Sequence, residues 1–170
     1  MDKGKERMGG EQSGAPVGYM ERTRKYYRAL SYENDYIWAQ FDDVPFARLN
    51  KPLRETRVAL ITTAGPPDLS NRNAKGRKGA WSGDMASPPE TFDTDLSWDK
   101  ESTHTDDRET FLPIDAAKRH VADGLIGGLT QNFYGAPTDY SHRKTLEHDA
   151  PEMLQRLLQD GAEAALLTAL

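Results

Sequence analysis

One continuous apolar run, Arg57-Val-Ala-Leu-Ile-Thr-Thr63, constrains the fold of this chain more than any other feature. Its residues favour β-strands, and the turn-forming stretch Ala64-Gly65-Pro66-Pro67 ends it. The run does not alternate between apolar and polar side chains, which predicts a strand that is buried on both faces. Such strands lie in the centre of parallel sheets covered by helices, so we expect an α/β fold.

A helix followed by a second strand is predicted at the C-terminal end of the sequence. One face of the helix carries apolar side chains at helical spacing: Ala150, Met153, Leu154, Leu157 and Leu158. Asp149 is the expected N-cap, Glu152 completes a capping-box-like pair, and Gly161 ends the helix. The apolar segment Ala164–Leu170 is the expected strand. The order strand, helix, strand predicts a mostly parallel sheet with flanking helices, a Rossmann-like three-layer arrangement that is incomplete at the C-terminus.

The rest of the chain divides into a tail, an arm and connecting segments. Residues 1–22 are predicted to be a disordered tail, because they contain little to bury, and residues 23–170 to form the α/β domain. Within that domain we expect a short helix near 22–30, then an arm rich in aromatic side chains, and a loop from Asp68 to Pro89.

Three further elements are expected between the long loop and the C-terminal helix. Thr91–Trp98 is predicted to be a short strand or extended segment. A helix is expected around 114–122, closed by Gly124. The segment Ile126–Tyr134 is expected to hold a strand, which more plausibly begins at Leu129 because glycines precede it.

Composition excludes several classes of protein. The 170 residues carry a net charge of -5 without a basic block, which argues against nucleic acid as a partner. No segment approaches the roughly 18 apolar residues of a membrane span, and the N-terminus lacks the apolar core of a signal peptide, so a cytoplasmic protein is expected. The sequence has no cysteine, which excludes disulfides, zinc–thiolate sites and a cysteine nucleophile within these residues.

Small and hydroxyl-bearing residues at strand ends are the first candidates for a binding site. Thr62, Thr63 and Gly65 come at the end of the predicted central strand, where open parallel sheets bind their ligands. Their hydroxyl groups and exposed backbone suit a carboxylate or another small anion, although composition alone favours a polar strand exit into a turn. Tyr134, at the end of another predicted strand, is a candidate for facing the same pocket or for packing in the core.

Titratable side chains form two further candidate groups. His104 has Asp106 and Asp107 close by in sequence, which suits proton transfer by a histidine whose pKa a carboxylate tunes. The same group is a possible start of a metal site, but its spacing matches no zinc pattern, and we expect no metal. A basic loop is either solvated or contacts an acidic partner or a phosphate; it contains Arg72, Lys75, Arg77 and Lys78.

Short segments in a characteristic order carry a resemblance to a known family. They are Arg57-Val-Ala-Leu-Ile-Thr-Thr-Ala-Gly65, Asp93-Thr-Asp-Leu-Ser-Trp98, Thr103-His-Thr-Asp-Asp107, Phe111-Leu-Pro-Ile114 and Gly124-Leu-Ile-Gly127. Together these segments resemble the selenoprotein B family of glycine, sarcosine, betaine and D-proline reductases, and the similarity covers about residues 24–170.

The resemblance implies an oxidoreductase that acts on a small amino-acid-like substrate. In the family, a selenocysteine or cysteine attacks the substrate, releases the amine or opens the ring, and a thiol partner resolves the intermediate. That residue follows the strand corresponding to Ala164–Leu170, in a motif shared with a second cysteine. We therefore expect no cofactor in this chain, a selenocysteine or cysteine beyond residue 170, and a thiol redox protein or reductase subunit as partner. An in-frame UGA would encode the selenocysteine.

Three functional readings follow from the sequence. The first is part of a seleno- or thiol-dependent reductase, inactive as these 170 residues alone, with His104 and Asp106 as acid–base residues and Thr62, Thr63, Gly65 and Tyr134 around the substrate. The second is a non-catalytic small-molecule binding or scaffold module. The third, a metal-dependent hydrolase that uses His104 and Asp106, ranks last.

Overall fold

Two units make up the chain, residues 1–44 and residues 45–170, and the sheet lies in the second unit. The structure is a computed structural model, and it describes residues 18–35, 37, 39–44, 47–94, 104–138 and 141–170. Tyr36, Trp38 and Phe46 of the predicted arm, and residues 95–98 of the segment predicted to be extended, lie outside the described residues.

The first unit contains helix α1 (Tyr19–Ala29), which overlaps the helix predicted near 22–30 and begins inside the predicted tail. None of its side chains is buried. After the helix, the chain turns at Ser31, and Arg28 Nε donates a hydrogen bond to Asp35 Oδ1 at 2.8 Å. This ion pair and the edge-on contact of two tyrosine rings, Tyr27 and Tyr32, hold the helix end and the turn together.

The second unit is built on a five-stranded sheet. Its strands are β1 (Arg57–Thr62), β2 (Trp81–Asp84), β3 (Gly128–Leu129), β4 (Asn132–Gly135) and β5 (Ala164–Thr168). Strand β1 is central: β3 and β4 pair with one of its edges and β5 with the other, all of them parallel to it. Strand β2 pairs antiparallel with β4. The predicted mostly parallel α/β sheet is confirmed.

Side chains on both faces of β1 are buried, as the uninterrupted apolar run predicts. Leu60 packs on one face with the aromatic residues Trp81, Phe92, Phe111 and Phe133. On the other face, Ala59 and Ile61 belong to a second cluster with Tyr134 and Met153. The alternation along β4, with Phe133 on one face and Tyr134 on the other, follows from the two-residue period of a strand.

Helices cover both faces of the sheet, which completes the three predicted layers. Helix α2 (Ile114–Ala122) packs in the cluster that contains Leu60, and α4 (Ala150–Gln159) contributes Met153 to the other cluster. Both helices have the predicted positions, and Gly124 and Gly161 after them have φ values of 71° and 72°. This left-handed conformation is one that glycine adopts without steric cost.

The N-terminus of α2 is capped from the preceding 3₁₀ turn. The Glu109 carboxylate accepts hydrogen bonds from the backbone N–H groups of Asp115 and Ala116, both at 3.0 Å. Partial burial opposes ionisation of Glu109, but these N–H groups and the Arg108 guanidinium outweigh it and lower the pKa of the carboxyl group. Glu109 therefore stays charged at the positive end of the helix dipole.

The predicted N-cap at Asp149 is wrong. Helical backbone runs from α3 (His142–Lys144) through a π-helical turn, Thr145–Asp149, into α4, and Asp149 itself has helical φ and ψ of -69° and -43°. The actual cap is Ser141, whose hydroxyl accepts a hydrogen bond from the Lys144 backbone N–H at 3.2 Å. The buried Asp149 carboxylate instead pairs with the Lys144 ammonium at 3.1 Å.

Two connecting segments differ from the prediction. The Asp68–Pro89 segment, predicted to be a loop, contains strand β2, which its short polar sequence did not reveal. The strand expected within Ile126–Tyr134 is two short strands, β3 and β4, which pair with the two ends of β1 and are separated by Thr130 and Gln131. Among the helices in the described residues, none is long and apolar enough to cross a membrane.

Candidate functional site

A narrow cleft lies where β1 and β4 end at the carboxyl edge of the sheet. Thr63 and Gly65 follow β1, and Thr138 follows β4, whose Gly135 is in register with Thr62. Asp93 and residues of the basic loop also line the cleft. This is the edge at which open parallel sheets bind ligands.

The three candidates after β1 have different environments. Thr62 is fully buried, and its hydroxyl oxygen accepts a hydrogen bond from the Ala64 backbone N–H at 3.2 Å, so it fixes the strand exit. Thr63 lines the cleft, and its hydroxyl oxygen accepts a hydrogen bond from the Leu170 backbone N–H at 2.9 Å. Gly65 also lines the cleft and pairs with Asp93 through two backbone hydrogen bonds of 2.8 and 3.0 Å.

Trp81 contacts Ala64, one of the residues that line the cleft, and it was not among the residues predicted to form the site. Its indole N–H donates a hydrogen bond to the Ala64 carbonyl oxygen at 3.1 Å. The ring passes so close to Gly135 that a Cβ atom there would lie 1.7 Å from Trp81 Nε1. The sequence feature that could have indicated this role is a tryptophan next to glycines in a polar segment. A buried indole needs a hydrogen-bond acceptor for its N–H group, so such a tryptophan is expected to contact a nearby backbone carbonyl.

A turn shapes the basic loop on the cleft wall. Asn73 Oδ1 accepts hydrogen bonds from the backbone N–H groups of Lys75 and Arg77 at 2.9 and 3.1 Å. The turn brings Arg72 and Lys78 together in an antiparallel bridge, and both line the cleft. Lys75 and Arg77, at the tip of the turn, are exposed.

His104 and Asp106 contact each other outside the set of residues that line the cleft. His104 Nδ1 accepts a hydrogen bond from the Asp106 backbone N–H at 3.3 Å, and it lies 3.5 Å from Asp106 Oδ2. The His104 side chain is 49% exposed and that of Asp106 is 86% exposed. The loop is fastened to the core through the Thr105 hydroxyl, which donates to the Phe92 carbonyl oxygen at 3.1 Å.

Tyr134 lies on the other face of the sheet from Phe133 and does not line the cleft. Its hydroxyl donates to Asp160 Oδ2 at 2.8 Å and lies 3.3 Å from the Arg156 carbonyl oxygen. Burial, together with the neighbouring Asp160 carboxylate, raises the pKa of the Tyr134 hydroxyl. The tyrosine therefore connects β4 to the end of α4, and its assignment to a substrate pocket stays a prediction.

The hypothesis of a metal-dependent hydrolase requires side chains that are placed together to bind a metal ion. Within the part of the chain that the structure describes, no group of three or more His, Cys, Asp or Glu side chains is placed to hold a metal ion. His104 and Asp106 form a pair, and a zinc site needs at least three protein ligands.

The fold and the cleft define an α/β protein with a candidate small-ligand site at the carboxyl edge of a parallel sheet. The profile of one family, described as glycine/sarcosine/betaine reductase selenoprotein B (GRDB), matches residues 24–170. The chain belongs to this family, as the sequence motifs predicted.

One curated relative is the glycine reductase complex component B subunit gamma of Peptoclostridium acidaminophilum. It is 24% identical over 190 aligned positions, which cover 94% of this chain and 43% of the relative. The chain thus spans less than half the length of this relative. No solved structure matches the chain.

Proposed function

We propose that this chain is part of a seleno- or thiol-dependent reductase component that acts on a small amino-acid-like substrate of the glycine, sarcosine, betaine or D-proline type. Its family and the name of its relative support a reductase component. The observation that carries the proposal is the cleft at the carboxyl edge of the sheet, which Thr63 lines. The Thr63 hydroxyl also accepts a hydrogen bond from the Leu170 backbone N–H, so the end of the described chain lies beside the cleft.

The redox nucleophile of the proposed reaction comes from outside these residues. The chain contains no cysteine. Thr168, the last residue of β5, donates a hydrogen bond from its hydroxyl to the Phe111 carbonyl oxygen at 2.7 Å, and the Ile61 carbonyl oxygen lies 3.2 Å from the same hydroxyl. The Leu170 backbone N–H donates to the Thr63 hydroxyl. A selenocysteine or cysteine carried just beyond residue 170 would therefore emerge beside the cleft.

The proposed reaction balances as a two-electron reduction of carbon. The selenolate or thiolate attacks the substrate carbon that carries the positively charged nitrogen, the carbon–nitrogen bond breaks, and the nitrogen leaves with the bonding electrons as a neutral amine. A second thiol then attacks the selenium or sulfur atom, and the carbon departs with a proton. The substrate carbon is reduced, and the two chalcogen atoms are oxidised to a selenosulfide or disulfide. A thiol redox protein or another reductase subunit would restore the reduced pair.

His104 is the proposed acid–base residue of this reaction, with Asp106 orienting its ring. In an active, extended protein, His104→Ala should lower turnover by a factor of about 10² or more, the loss expected for general acid–base catalysis. The matched control is His120→Ala, which changes an exposed histidine on α2. Turnover by the His104 variant equal to that of the control would remove His104 from the mechanism.

The proposed activity is tested with a protein extended beyond residue 170 from its own gene. A cysteine would replace any selenocysteine, the partner subunits would be present, and dithiothreitol would serve as reductant. We expect the extended protein to release an amine, or to open a ring, from at least one of glycine, sarcosine, betaine and D-proline, whereas the 170-residue chain reacts with none.

A non-catalytic binding module is the second candidate, because described residues form the cleft and the chain contains no cysteine to act as a redox nucleophile. This candidate predicts that a folded, extended protein binds one of these compounds and converts none of them. The same assay therefore separates the two proposals.

A further inference from the structure

The narrow cleft is closed on the side of β4. Lys78 Nζ donates a hydrogen bond to the Thr138 carbonyl oxygen at 2.6 Å, and Gly65 is joined to Asp93 by two backbone hydrogen bonds. The space that these residues leave has room for about one water molecule. Because an amino acid is larger than a water molecule, the substrate cleft of the full protein has to extend beyond this space.

The order of the strands indicates where that extension lies. From β1, the chain passes through α2, which covers the face of the sheet that contains Leu60, and reaches β3 and β4 along one edge of β1. From β4 it returns through α4, which covers the face that contains Ile61, to β5 along the other edge. The strand order therefore reverses between β1 and β5, and we call the carboxyl ends of these two strands the switch point. Open parallel sheets bind ligands in the crevice outside such a reversal.

The chain that leaves β5 is fixed at the switch point. The Thr168 hydroxyl donates to the Phe111 carbonyl oxygen at 2.7 Å, and the Leu170 backbone N–H donates to the Thr63 hydroxyl oxygen at 2.9 Å. The Leu170 side chain packs against the cluster that contains Leu60 and Phe111. These contacts hold the ends of β1 and β5 side by side, so a site between them is pre-organised.

The Thr63 hydroxyl group still has a proton to donate. A hydroxyl offers one donor and two acceptor positions, and the bond from Leu170 uses an acceptor position. Among the residues that the structure describes, none accepts a hydrogen bond from the Thr63 hydroxyl. Thr63 is half-buried, and it lies between the narrow cleft and the chain that follows β5. Its proton can therefore be donated to an oxygen atom of a bound ligand.

We propose that the substrate binds at the switch point between β1 and β5, and that the Thr63 hydroxyl donates a hydrogen bond to its carboxylate. This assignment rests on the proposed function and deepens it by giving the substrate class a defined place in the sheet. Glycine, sarcosine, betaine and D-proline share the carboxylate, so Thr63 would contact all four. The substrate cleft of the full protein then opens from Thr63 toward β5 and not toward Thr138 at the end of β4.

Variants of Thr63 test the proposed contact by direct binding. The extended protein, with cysteine in place of any selenocysteine and without reductant, would be titrated with glycine, sarcosine, betaine and D-proline by isothermal titration calorimetry. For the compound that binds most tightly, Thr63→Val should raise the Kd about tenfold or more, because a hydrogen bond to a charged group is lost. Thr63→Ser, which keeps the hydroxyl group, should bind nearly as tightly as the wild type does.

Thr168→Val is the matched control, because it loosens the same chain exit and leaves the Thr63 hydroxyl group in place. It should weaken binding much less than Thr63→Val does. Equal losses in the two variants would show that both threonines only hold the exit, and the proposed contact would be wrong. A large loss in Thr138→Val with none in Thr63→Val would put the substrate on the side of β4 and would also overturn the proposal.

Failure of the site and failure of the reductase function give different results. If binding depends on Thr63 and the reduced, extended protein converts none of the four compounds, the site stands and the function falls. If the protein converts one of them and Thr63→Val changes neither its Kd nor its KM, the function stands and the site falls. A folded, extended protein that neither binds nor converts any of the four compounds would overturn both.

Discussion

At the scale of single residues, Asp160 joins the end of α4 to strand β4. Its carboxylate accepts hydrogen bonds from the Asn132 backbone N–H at 2.9 Å and from the Tyr134 hydroxyl at 2.8 Å. Partial burial acts to raise the pKa of Asp160, but the hydrogen bonds from Asn132 and Tyr134 outweigh it, and the pKa lies below its usual value of 3.8. The folded state therefore favours the ionised carboxyl group.

A pH-dependent stability follows from this shift. Because the folded pKa of Asp160 is lower than the unfolded one, its contribution is complete above about pH 4 and is lost as the pH falls through the folded pKa. Asp160→Asn should lower the free energy of unfolding by about 1–2 kcal/mol at pH 7. Urea unfolding at several pH values measures this difference, which should shrink below about pH 4.

Asp123→Asn is the matched control, since Asp123 occupies the equivalent position after α2 and is exposed. A difference between wild type and Asp160→Asn that stays constant from pH 7 to pH 3 would contradict the assigned role of the charge.

Residue environments were predictable from the sequence only where a local pattern fixes them. Thr63 and Gly65 lie at the cleft because a strand exit follows from the apolar run before them. The environment of Tyr134 was not predictable, since a one-residue change in the expected strand moves a side chain to the other face. Asp160 and Trp81 act on partners distant in sequence, and no local spacing indicates such contacts.

At the scale of elements, the antiparallel strand β2 connects the sheet to the cleft through Trp81. In its register with β4, Trp81 lies opposite Gly135, and its indole reaches the Ala64 carbonyl oxygen. The sequence did not reveal β2, because its four residues, Trp-Ser-Gly-Asp, contain a glycine and two polar side chains. Strand β1 was predicted from its uninterrupted apolar run, and α4 from the helical spacing of its apolar side chains.

A substitution at Gly135 tests this connection. In Gly135→Ala, the new Cβ atom would overlap the Trp81 ring, so either the ring or β4 must move. We expect a loss of about 1–3 kcal/mol in the free energy of unfolding, as for other overpacked cores, together with a shift of the Ala64 and Gly65 amide resonances. Urea unfolding and NMR measure these effects.

Gly128→Ala is the control, because a Cβ atom at that strand glycine would meet nothing within 4 Å. Equal stability of the two alanine variants would show that Trp81 yields without cost, contrary to the proposed support of the cleft.

At the scale of the whole molecule, β5 leaves an apolar edge on the sheet. It pairs with β1 along one edge, and among the described residues no strand pairs with its other edge. Leu166 and Leu167 are 49% and 59% exposed, on opposite faces of the strand. Unpaired strand edges with apolar side chains associate with other chains unless they are covered.

We therefore expect the 170-residue chain to self-associate through β5. Leu167→Lys should raise the concentration of half-association about tenfold or more, since it removes apolar contact and places charges together. Analytical ultracentrifugation measures this concentration. Leu125→Lys, at a side chain that is 55% exposed but is not part of β5, should have little effect. If both lysine variants raised the concentration of half-association equally, association would depend on exposed apolar side chains in general and not on β5, and the prediction would be wrong.

The central claim is that this family member supplies the substrate cleft and that its redox residue lies beyond residue 170. The most direct measurement is the nucleotide sequence of the gene after the Leu170 codon. We predict an in-frame UGA read as selenocysteine, or a cysteine codon, close to the end of β5, followed by an open frame that encodes a second cysteine. A frame that closes without encoding any selenocysteine or cysteine would contradict the account.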